Sequence, residues 1–328
     1  MSDDNGWHSS GPVIPRWSGP IIPRWSGPVI PRSAGGAGRP QIGRTHERRR
    51  IGLGWKRDLA DNRDLTLDDE KLAKKLKKRE KKLIDPSAKP EAKIDNRKFC
   101  SPVEDQGDIG SCTAQAVVGL MEYMMRRASG RHIEGSRLFV YKATRNLLGW
   151  QGDTGAYLRT AIQSVSTFGV PPEPYYPYIP EMYDEEPSAF LYSFAANYQA
   201  LNYTRLDPHG KSYTQILDNI RWALRGGYGV VFGFSVFNSL GWEADIPFPD
   251  KDAGDVLQGG HAVMAVGYDD NRECINAPAG AFLIRNSWGP SWGDDGYGYL
   301  PYAYIKAGLA SDFWTVLKWE WIDTKNFD

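Results

Sequence analysis

The order of local patterns along the chain constrains its fold more than any other feature. Apolar residues at helical spacing dominate the middle of the chain, and they predict helices over 112–127, 156–168 and 213–224. The last third instead carries short β-rich runs bounded by Gly, Asp or Pro, which predict strands at 230–236, 261–268, 281–285 and 314–317. Helices first and strands later favour an α+β chain with two lobes, one helical and one β-rich.

The first 93 residues differ from the rest of the chain. An octad repeat at 8–32 contains three copies of Gly-Pro-[Val/Ile]-Ile-Pro-Arg, and a Gly-rich linker and a basic amphipathic helix predicted at about 70–84 follow it. Proline excludes a helix from the octads and favours extended chain. We therefore expect an N-terminal arm over 1–93 and one compact domain over 94–328.

Charge separates the same two parts. The arm holds 21 basic and 12 acidic residues of the 40 of each kind in the chain, so it carries a formal +9 and the remainder −9. This asymmetry favours attraction between the arm and the domain, or between the arm and an acidic partner. The octads fit either a disordered low-complexity tail or extended ligands for a cleft, and the basic helix fits either a solvated face or a contact with nucleic acid or an anionic membrane.

Composition and spacing exclude several other classes. The three cysteines, Cys100, Cys112 and Cys274, are too few for a disulfide-stapled secreted scaffold, although a bond between Cys100 and Cys274 stays open. The chain shows no signal-peptide pattern and no run of about 18 apolar residues, so we expect a soluble protein of undetermined compartment. The histidines lack metal-ligand spacing and the glycine-rich loops lack the Lys-Ser/Thr of a phosphate loop, so no metal and no cofactor are predicted.

Three residues in the predicted domain form a candidate for nucleophilic catalysis. Cys112 opens the helix predicted at 112–127, where the partial positive charge of the helix N-terminus favours a thiolate. His261 lies 149 residues further on at the start of a predicted strand, and Asn286 follows it after 25 more. A cysteine, a histidine and an amide that orients the imidazole are the parts of a thiol-dependent acyl transfer.

Four segments carry a resemblance to a known family. The segment Pro102–Cys112 resembles the nucleophile segment of the papain family, Gly259–Tyr268 its histidine strand, and Ile284–Tyr299 its asparagine segment. The segment Gly169–Tyr178 is similar to the link that follows the helical lobe in that family. The resemblance covers about residues 94–320 and implies a papain-like fold, with a helical lobe, a barrel-like β-rich lobe and the active-site cleft between them.

The resemblance also implies roles for individual residues. Cys112 becomes the nucleophile, His261 the general base and acid, Asn286 the residue that orients the histidine, and Gln106 a donor to the oxyanion. Trp288 is expected to shield the hydrogen bond between Asn286 and His261 from water. The predicted substrate contacts are Gly155, Gly233, Gly260, Ala262 and Trp292.

The resemblance assigns three different roles to these substrate contacts. Gly155 is expected to hydrogen-bond an extended substrate backbone, and Gly233 and Ala262 to line the pocket for the side chain two residues before the scissile bond. Trp292 is expected to wall the leaving-group side. Two positions depart from the family pattern, since Ile109 replaces its usual cysteine and Thr113 its usual aromatic residue, and the usual pro-segment motif is not recognisable in the arm.

The sequence thus predicts a cysteine endopeptidase that acts on proteins or peptides through a thioester acyl-enzyme. The arm is expected to lie over the cleft and to inhibit until it is displaced or cut. Two alternatives stay open. One is a papain-fold interaction protein whose arm recruits nucleic acid, membrane or a protein partner, and the other is a transferase that uses the same thioester.

Overall fold

A computed structural model describes residues 51–70 and 90–321, all of which belong to one compact unit. The octad repeat at 8–32, the Gly-rich linker and nearly all of the basic helix predicted at 70–84 lie outside the described residues. The expected division into an arm and a domain near Ile94 therefore stays a prediction. The described part does place residues 51–70 against the same unit that holds the predicted domain.

Five helices of seven residues or more and one helix of four residues form the α-helical part of the described residues. They are α1 Cys112–Ser129, α2 Arg137–Leu148, α3 Leu158–Phe168, α4 Ala189–Ala195, α5 Tyr213–Arg225 and the short α6 Ala303–Lys306. Single 3-10 turns lie at Arg97–Phe99, Glu173–Tyr175 and Pro180–Met182.

Local chemistry explains where these helices begin and end. The Ser136 hydroxyl accepts from the Phe139 backbone at the start of α2, and Ser212 and Gln215 form a capping box at the start of α5. Helix α1 ends at Gly130 and α2 at Gly149, both with positive φ, which glycine adopts without steric cost. The capping residues therefore set the helix lengths.

The β-rich part is one twisted antiparallel sheet of seven strands in the described residues. The strands are β2 Lys93–Asp95, β4 Tyr198–Arg205, β5 Val230–Phe237, β6 Leu257–Asp269, β7 Ala281–Arg285, β8 Tyr297–Pro301 and β9 Ala310–Trp321. Their order in the sheet is β4–β9–β5–β6–β7–β8, and β2 pairs with the last three residues of β6. A separate parallel pair joins β1 Trp55–Lys56 to β3 Ala156–Tyr157.

Two apolar clusters fill the interior. One joins the helices to one face of the sheet, with Val117 and Leu120 of α1 among its members, and the other lies under α5 and α6 on the opposite side, around Phe232 and Phe313. Strand β6 contributes to both clusters, and its central residues are buried. A long strand buried on both faces reads as a continuous apolar run, which is the pattern of His261–Tyr268.

The comparison with the predicted elements confirms the α+β architecture and corrects several boundaries. Helix α3 begins at Leu158 instead of residue 156, because Ala156 and Tyr157 pair with β1. Strand β6 begins at Leu257, four residues before His261, and β9 extends well beyond the predicted 314–317 on both sides. Helix α2 and strands β4 and β8 were not predicted.

Two further expectations concern the cysteines and the membrane. All three cysteines are free, so the bond between Cys100 and Cys274 that the sequence left open is not formed. No helix within the described ranges combines the length and the apolar character needed to cross a membrane.

Candidate active site

Cys112 is the first residue of α1, at the point where the helix leaves the loop 105–111. A residue distant in sequence holds this loop, since the Asp153 carboxylate accepts from the Gly110 backbone N–H at 2.8 Å. The Cys112 side chain is fully buried. The fold therefore places a thiol at a helix N-terminus, as the sequence predicted, in a setting closed to solvent.

His261 and Asn286 lie side by side on β6 and directly after β7. The His261 Nε2 and Asn286 Oδ1 atoms are 2.7 Å apart, and the Ser287 backbone N–H donates to the same Oδ1 at 2.8 Å. Because Oδ1 is an acceptor in both contacts, Nε2 carries the imidazole proton and Nδ1 is left as the acceptor. Nδ1 is buried and makes no hydrogen bond to any described residue.

Tryptophans cover the imidazole. Trp288 stacks on His261 with ring centroids 4.6 Å apart, and Trp242 stacks on the far side of Trp288 at 6.4 Å. Trp292 contacts Trp288 edge to face at 5.7 Å and is fully buried, with its Nε1 donating to Gly241 O. Trp288 thus lies against His261, where the sequence placed the shield. Trp292 lies behind Trp288 and is buried, whereas Trp242 is the exposed member of the three tryptophans.

Gln106 is buried and its amide is oriented from one side. Ser287 Oγ donates to Gln106 Oε1 at 2.6 Å, which directs the Nε2 donors the other way. Nε2 donates at 3.0 Å to Gly52 O and at 3.0 Å to Ile109 O. The predicted oxyanion donor is therefore occupied by a carbonyl of the N-terminal region.

That carbonyl belongs to residues 51–70, called here the cleft segment. Gly54 O accepts from the Ala156 backbone at 2.8 Å, and the segment pairs in parallel with β3 through Trp55 and Lys56. Gly155 permits this approach, because an added Cβ there would lie 2.0 Å from Gly54 O. An extended chain thus already lies along the edge that was predicted to bind substrate backbone.

The Trp55 side chain enters the region of the other predicted substrate contacts. An added Cβ would lie 1.9 Å from its indole at Gly233 and 2.5 Å from its carbonyl oxygen at Gly260, and Ala262 is the register partner of Gly233. The Trp55 Nε1 donates to Asp312 Oδ2 at 3.1 Å. The predicted glycines therefore surround a pocket, and the cleft segment fills it.

Burial shifts the pKa values of Cys112 and His261 in opposite directions. Burial raises the pKa of the Cys112 thiol to about 11, although nearby backbone groups of Ala262, Gly54, Thr113 and Trp55 oppose the shift. Burial lowers the pKa of His261 to about 4 against the opposing hydrogen bond to Asn286. Both groups are therefore neutral at pH 7 in this arrangement.

The fold brings together nearly all of the predicted site residues and adds some that the sequence analysis missed. The additions are Gly52, Gly54, Trp55, Ser287 and Asp312. The alternation Gly52-Leu-Gly54-Trp55 was the available signal, since closely spaced glycines mark close backbone approach. No local pattern marks Asp312, which is distant in sequence from every motif of the site.

Comparisons with known proteins agree with this geometry. The model of the family described as papain family cysteine protease matches residues 90–315. An uncharacterized peptidase C1-like protein of Acanthamoeba polyphaga mimivirus is 33% identical over 222 residues, which cover 65% of this chain and 68% of that protein. Chicken (Gallus gallus) cathepsin K is 30% identical over 230 residues, which cover 65% of this chain but only 59% of the cathepsin.

Solved structures show the same relation. Xylellain, a cysteine protease from Xylella fastidiosa, superposes with a TM-score of 0.65 at 34% identity, covering 82% of this chain and 97% of that one. Digestive procathepsin L 3 of the Tenebrio molitor larval midgut superposes with a TM-score of 0.55 at 22% identity, covering 72% and 73%, which supports the fold alone. The match of the family model to more than half of the chain shows that this chain belongs to the papain family of cysteine proteases.

Proposed function

We propose that this cysteine protease is an endopeptidase with Cys112, His261 and Asn286 as its triad, and that the cleft segment holds it latent. The observation that carries the triad is the hydrogen bond between His261 Nε2 and Asn286 Oδ1, which leaves Nδ1 as the acceptor. The backbone of Ala262, the next residue, reaches the Cys112 thiol. This proximity supports a single site that contains the free imidazole nitrogen and the thiol.

In the open site, His261 Nδ1 takes the proton of the Cys112 thiol, and the thiolate attacks the carbonyl carbon of a peptide bond. The oxyanion accepts from Gln106 Nε2 and from the Cys112 backbone N–H at the start of α1. The imidazolium then gives its proton to the leaving amine, and a thioester remains on Cys112. Water, deprotonated by His261, attacks the thioester, which releases the acid and restores the thiol.

The edge of β3 supports an extended peptide as the substrate. Gly54 and Trp55 already pair with this edge, so the same backbone donors and acceptors are available to a substrate once the segment leaves. Main-chain pairing binds peptides of many sequences, and the side-chain pocket at Gly233 and Gly260 adds selectivity. Proteins and peptides are therefore the substrate class.

Three observations support latency. Gly52 O occupies the Gln106 amide that the oxyanion needs. Backbone groups of Gly54 and Trp55 lie near the Cys112 thiol, so the segment occupies the space that a substrate would need. Burial keeps thiol and imidazole neutral and so opposes the thiolate–imidazolium pair. The segment would thus block substrate and stabilise the unreactive protonation state.

The test is hydrolysis of a mixed fluorogenic peptide pool by the full chain, by Cys112→Ala and by Gly54→Ala, each with and without a cysteine-directed epoxide. A methyl group at Gly54 would lie 1.9 Å from Gly110 O, so the segment must move out. We expect Gly54→Ala to be faster than the unmodified chain, and Cys112→Ala to lose about a thousandfold or more of the epoxide-sensitive rate. The matched control is Leu59→Ala, because Leu59 belongs to the same segment but is 74% exposed.

The two parts of the proposal fail separately. Epoxide-sensitive turnover that survives Cys112→Ala contradicts the triad. Equal rates for Gly54→Ala, Leu59→Ala and the unmodified chain contradict latency and leave the triad intact.

A further inference from the structure

The loop 105–111, called here the nucleophile loop, has no disulfide to the rest of the fold. All three cysteines of the chain are free, and Ile109 stands where the papain family usually has a cysteine. The loop leads directly into α1 and so determines where Cys112 and its backbone N–H lie. Its position therefore depends on noncovalent contacts.

Asp153 supplies such a contact from the loop between α2 and β3. Its Oδ1 accepts from the Gly110 backbone N–H at 2.8 Å, and its Oδ2 lies 3.1 Å from the same nitrogen. Oδ1 also accepts from the Tyr141 hydroxyl, and that hydroxyl accepts from the Gly155 backbone N–H at 3.0 Å. Three hydrogen bonds, called here the Asp153 chain, thus join the nucleophile loop to the residue that precedes β3.

Helix α2 holds the Asp153 chain from behind. Tyr141 and Arg145 lie four residues apart on α2, so they face the same side, and both are fully buried. The Arg145 guanidinium carbon lies 4.2 Å from the centroid of the Tyr141 ring, and Nη1 donates to Gly152 O at 2.5 Å. The Asp184 carboxylate accepts from the Gly152 backbone N–H at 2.8 Å. Both polar groups of the preceding backbone are therefore held, which fixes the point from which the Asp153 carboxylate extends.

Gly110 and Gly155, at the two ends of the Asp153 chain, are the walls of a narrow slot. An added Cβ at Gly110 would lie 3.2 Å from Gly54 Cα and 3.3 Å from the Gly155 backbone nitrogen. An added Cβ at Gly54 would lie 1.9 Å from Gly110 O, and one at Gly155 would lie 2.0 Å from Gly54 O. The backbone of Gly54 thus touches both walls, and the width between them depends on the hydrogen bonds that Asp153 accepts.

We infer that Asp153 is a positioning residue for peptide hydrolysis, and that it keeps the nucleophile loop in register with the edge that binds substrate backbone. The inference rests on the proposed peptidase function. A peptide paired with β3 reacts only when its carbonyl carbon lies about 3–3.5 Å from the Cys112 sulfur, and a displacement of about 1 Å lowers the rate about 100-fold. Asp153 does not touch the reacting atoms. It acts through Gly110 and Tyr141 on the distance between the thiol and the bound peptide.

Geometry, more than charge, explains this role. Asp153 is exposed, so water and salt screen its negative charge. Its hydrogen bonds are directional, and the single atom Oδ1 accepts from both Gly110 and Tyr141. An asparagine whose amide oxygen takes the place of Oδ1 therefore keeps both hydrogen bonds and loses only the charge. Alanine loses the hydrogen bonds and the charge together.

The first test compares two reagents that modify Cys112 in the full chain carrying Gly54→Ala. Iodoacetamide needs only the thiol, whereas a peptidyl epoxide also has to pair with the edge of β3. We expect Asp153→Ala to slow the epoxide by about 10- to 100-fold and iodoacetamide by no more than about twofold, because the thiol remains while its register with the bound peptide is lost. Peptide mass locates the alkylated residue, since Cys100 and Cys274 are also free.

Two variants serve as controls in the same Gly54→Ala background. Asp153→Asn should react with the epoxide within about threefold of the parent rate, since it keeps both hydrogen bonds. Asp108→Ala removes another exposed carboxylate, this one within the nucleophile loop itself, and should leave both rates unchanged.

The second test separates binding from reaction in the same background. The value of kcat is counted per site titrated by the epoxide, so that an inactive fraction does not lower it. We expect Asp153→Ala to lower kcat about 10- to 100-fold and to change KM by less than about threefold, because β3 still binds the peptide. Tyr141→Phe removes the other half of the Asp153 chain and should lower kcat about tenfold. The double variant should lose no more than Asp153→Ala alone.

Four results would overturn the inference. An unchanged epoxide rate in Asp153→Ala would leave the residue without a role in positioning, and equal slowing of both reagents would make it a general support of the nucleophile loop. Equal losses in Asp153→Asn and Asp153→Ala would assign the effect to charge. Additive losses from Asp153→Ala and Tyr141→Phe would show two separate contacts. A parent chain whose Cys112 the epoxide does not modify contradicts the proposed peptidase function instead.

Discussion

The two halves of the cleft segment are bound by different forces. Residues 51–55, the glycine half, carry no charged residue and contact the site through backbone atoms and the Trp55 ring. Residues 57–64, the acidic half, lie further from Cys112 and enter a buried network of carboxylates and arginines. Under the proposed latency, the glycine half would block the chemistry and the acidic half would hold the segment in place.

The glycine half depends on close approach. Added Cβ atoms at Gly52 and Gly54 would lie 2.0 Å from Ile109 O and 1.9 Å from Gly110 O. Backbone at this distance from the nucleophile loop leaves no room for water or for a side chain. The hydrogen bonds of Gly52 and Gly54 join amide groups that do not titrate, so the contribution of these two residues is independent of pH.

The acidic half depends on charge. Asp64 pairs with Arg159 at 2.6 Å, and Arg205 lies 3.4 Å from Asp64 and 3.6 Å from Asp58. Asp58 Oδ2 also accepts from Trp314 Nε1 at 3.0 Å. These groups are mostly buried, so their interactions are screened less than those of surface pairs. The difference between the halves teaches that blocking and anchoring can be altered separately.

The largest expected effect comes from the glycine half. Gly52→Ala should raise the alkylation rate of Cys112 by about 100-fold, because overpacking by one methyl group against a backbone carbonyl costs about 1–3 kcal/mol and the hydrogen bond from Gln106 is lost as well. The effect should be the same at low and high salt. A strongly salt-dependent effect would show that the two halves are not separable.

A smaller effect is expected from the anchor. Asp64→Asn removes the charge that Arg159 pairs with and should speed alkylation about tenfold at low salt. The matched control is Asp61→Asn, because Asp61 pairs with Arg63, whose side chain is 90% exposed, and exposed pairs contribute little. If Asp61→Asn matched Asp64→Asn, the buried network would not be the anchor.

The smallest effect concerns pH and isolates Asp58. Burial and, next, the charge of Asp312 raise the pKa of Asp58 to about 7 against Arg159, Trp314 and Arg205. A released segment returns this pKa to about 3.9. Between these values the docked state binds more protons, so docking is strongest at acidic pH and weakens as pH rises towards 7.

The measurement is the ratio of Cys112 alkylation rates in the unmodified chain and in Asp58→Asn, taken from pH 5 to pH 8. The titration of the thiol cancels in this ratio because both chains contain it. We expect the ratio to rise several-fold with pH and to level off above about 7. A ratio that stays constant or falls would mean that Asp58 is not the titrating group.

Much of the fold and most of the site could be predicted from the sequence because they depend on local pattern. The helix that opens at Cys112 follows from apolar spacing, and the loop before it follows from its glycines. The short parallel pair of Trp55 with Ala156 could not be predicted, since two residues per strand leave no periodicity and pairing across such a distance has no local signal.

The sequence by itself determined the architecture, the order of cysteine, histidine and asparagine, and the glycines that line the cleft. Only the tertiary structure decided that Gly52–Trp55 lies in that cleft and that a buried carboxylate forms the floor of its pocket. The hydrogen bond between Trp55 and Asp312 joins residues 257 positions apart. Such contacts arise from the packing of β9 beside β5, and the chemistry of the pocket therefore exists only once the sheet has formed.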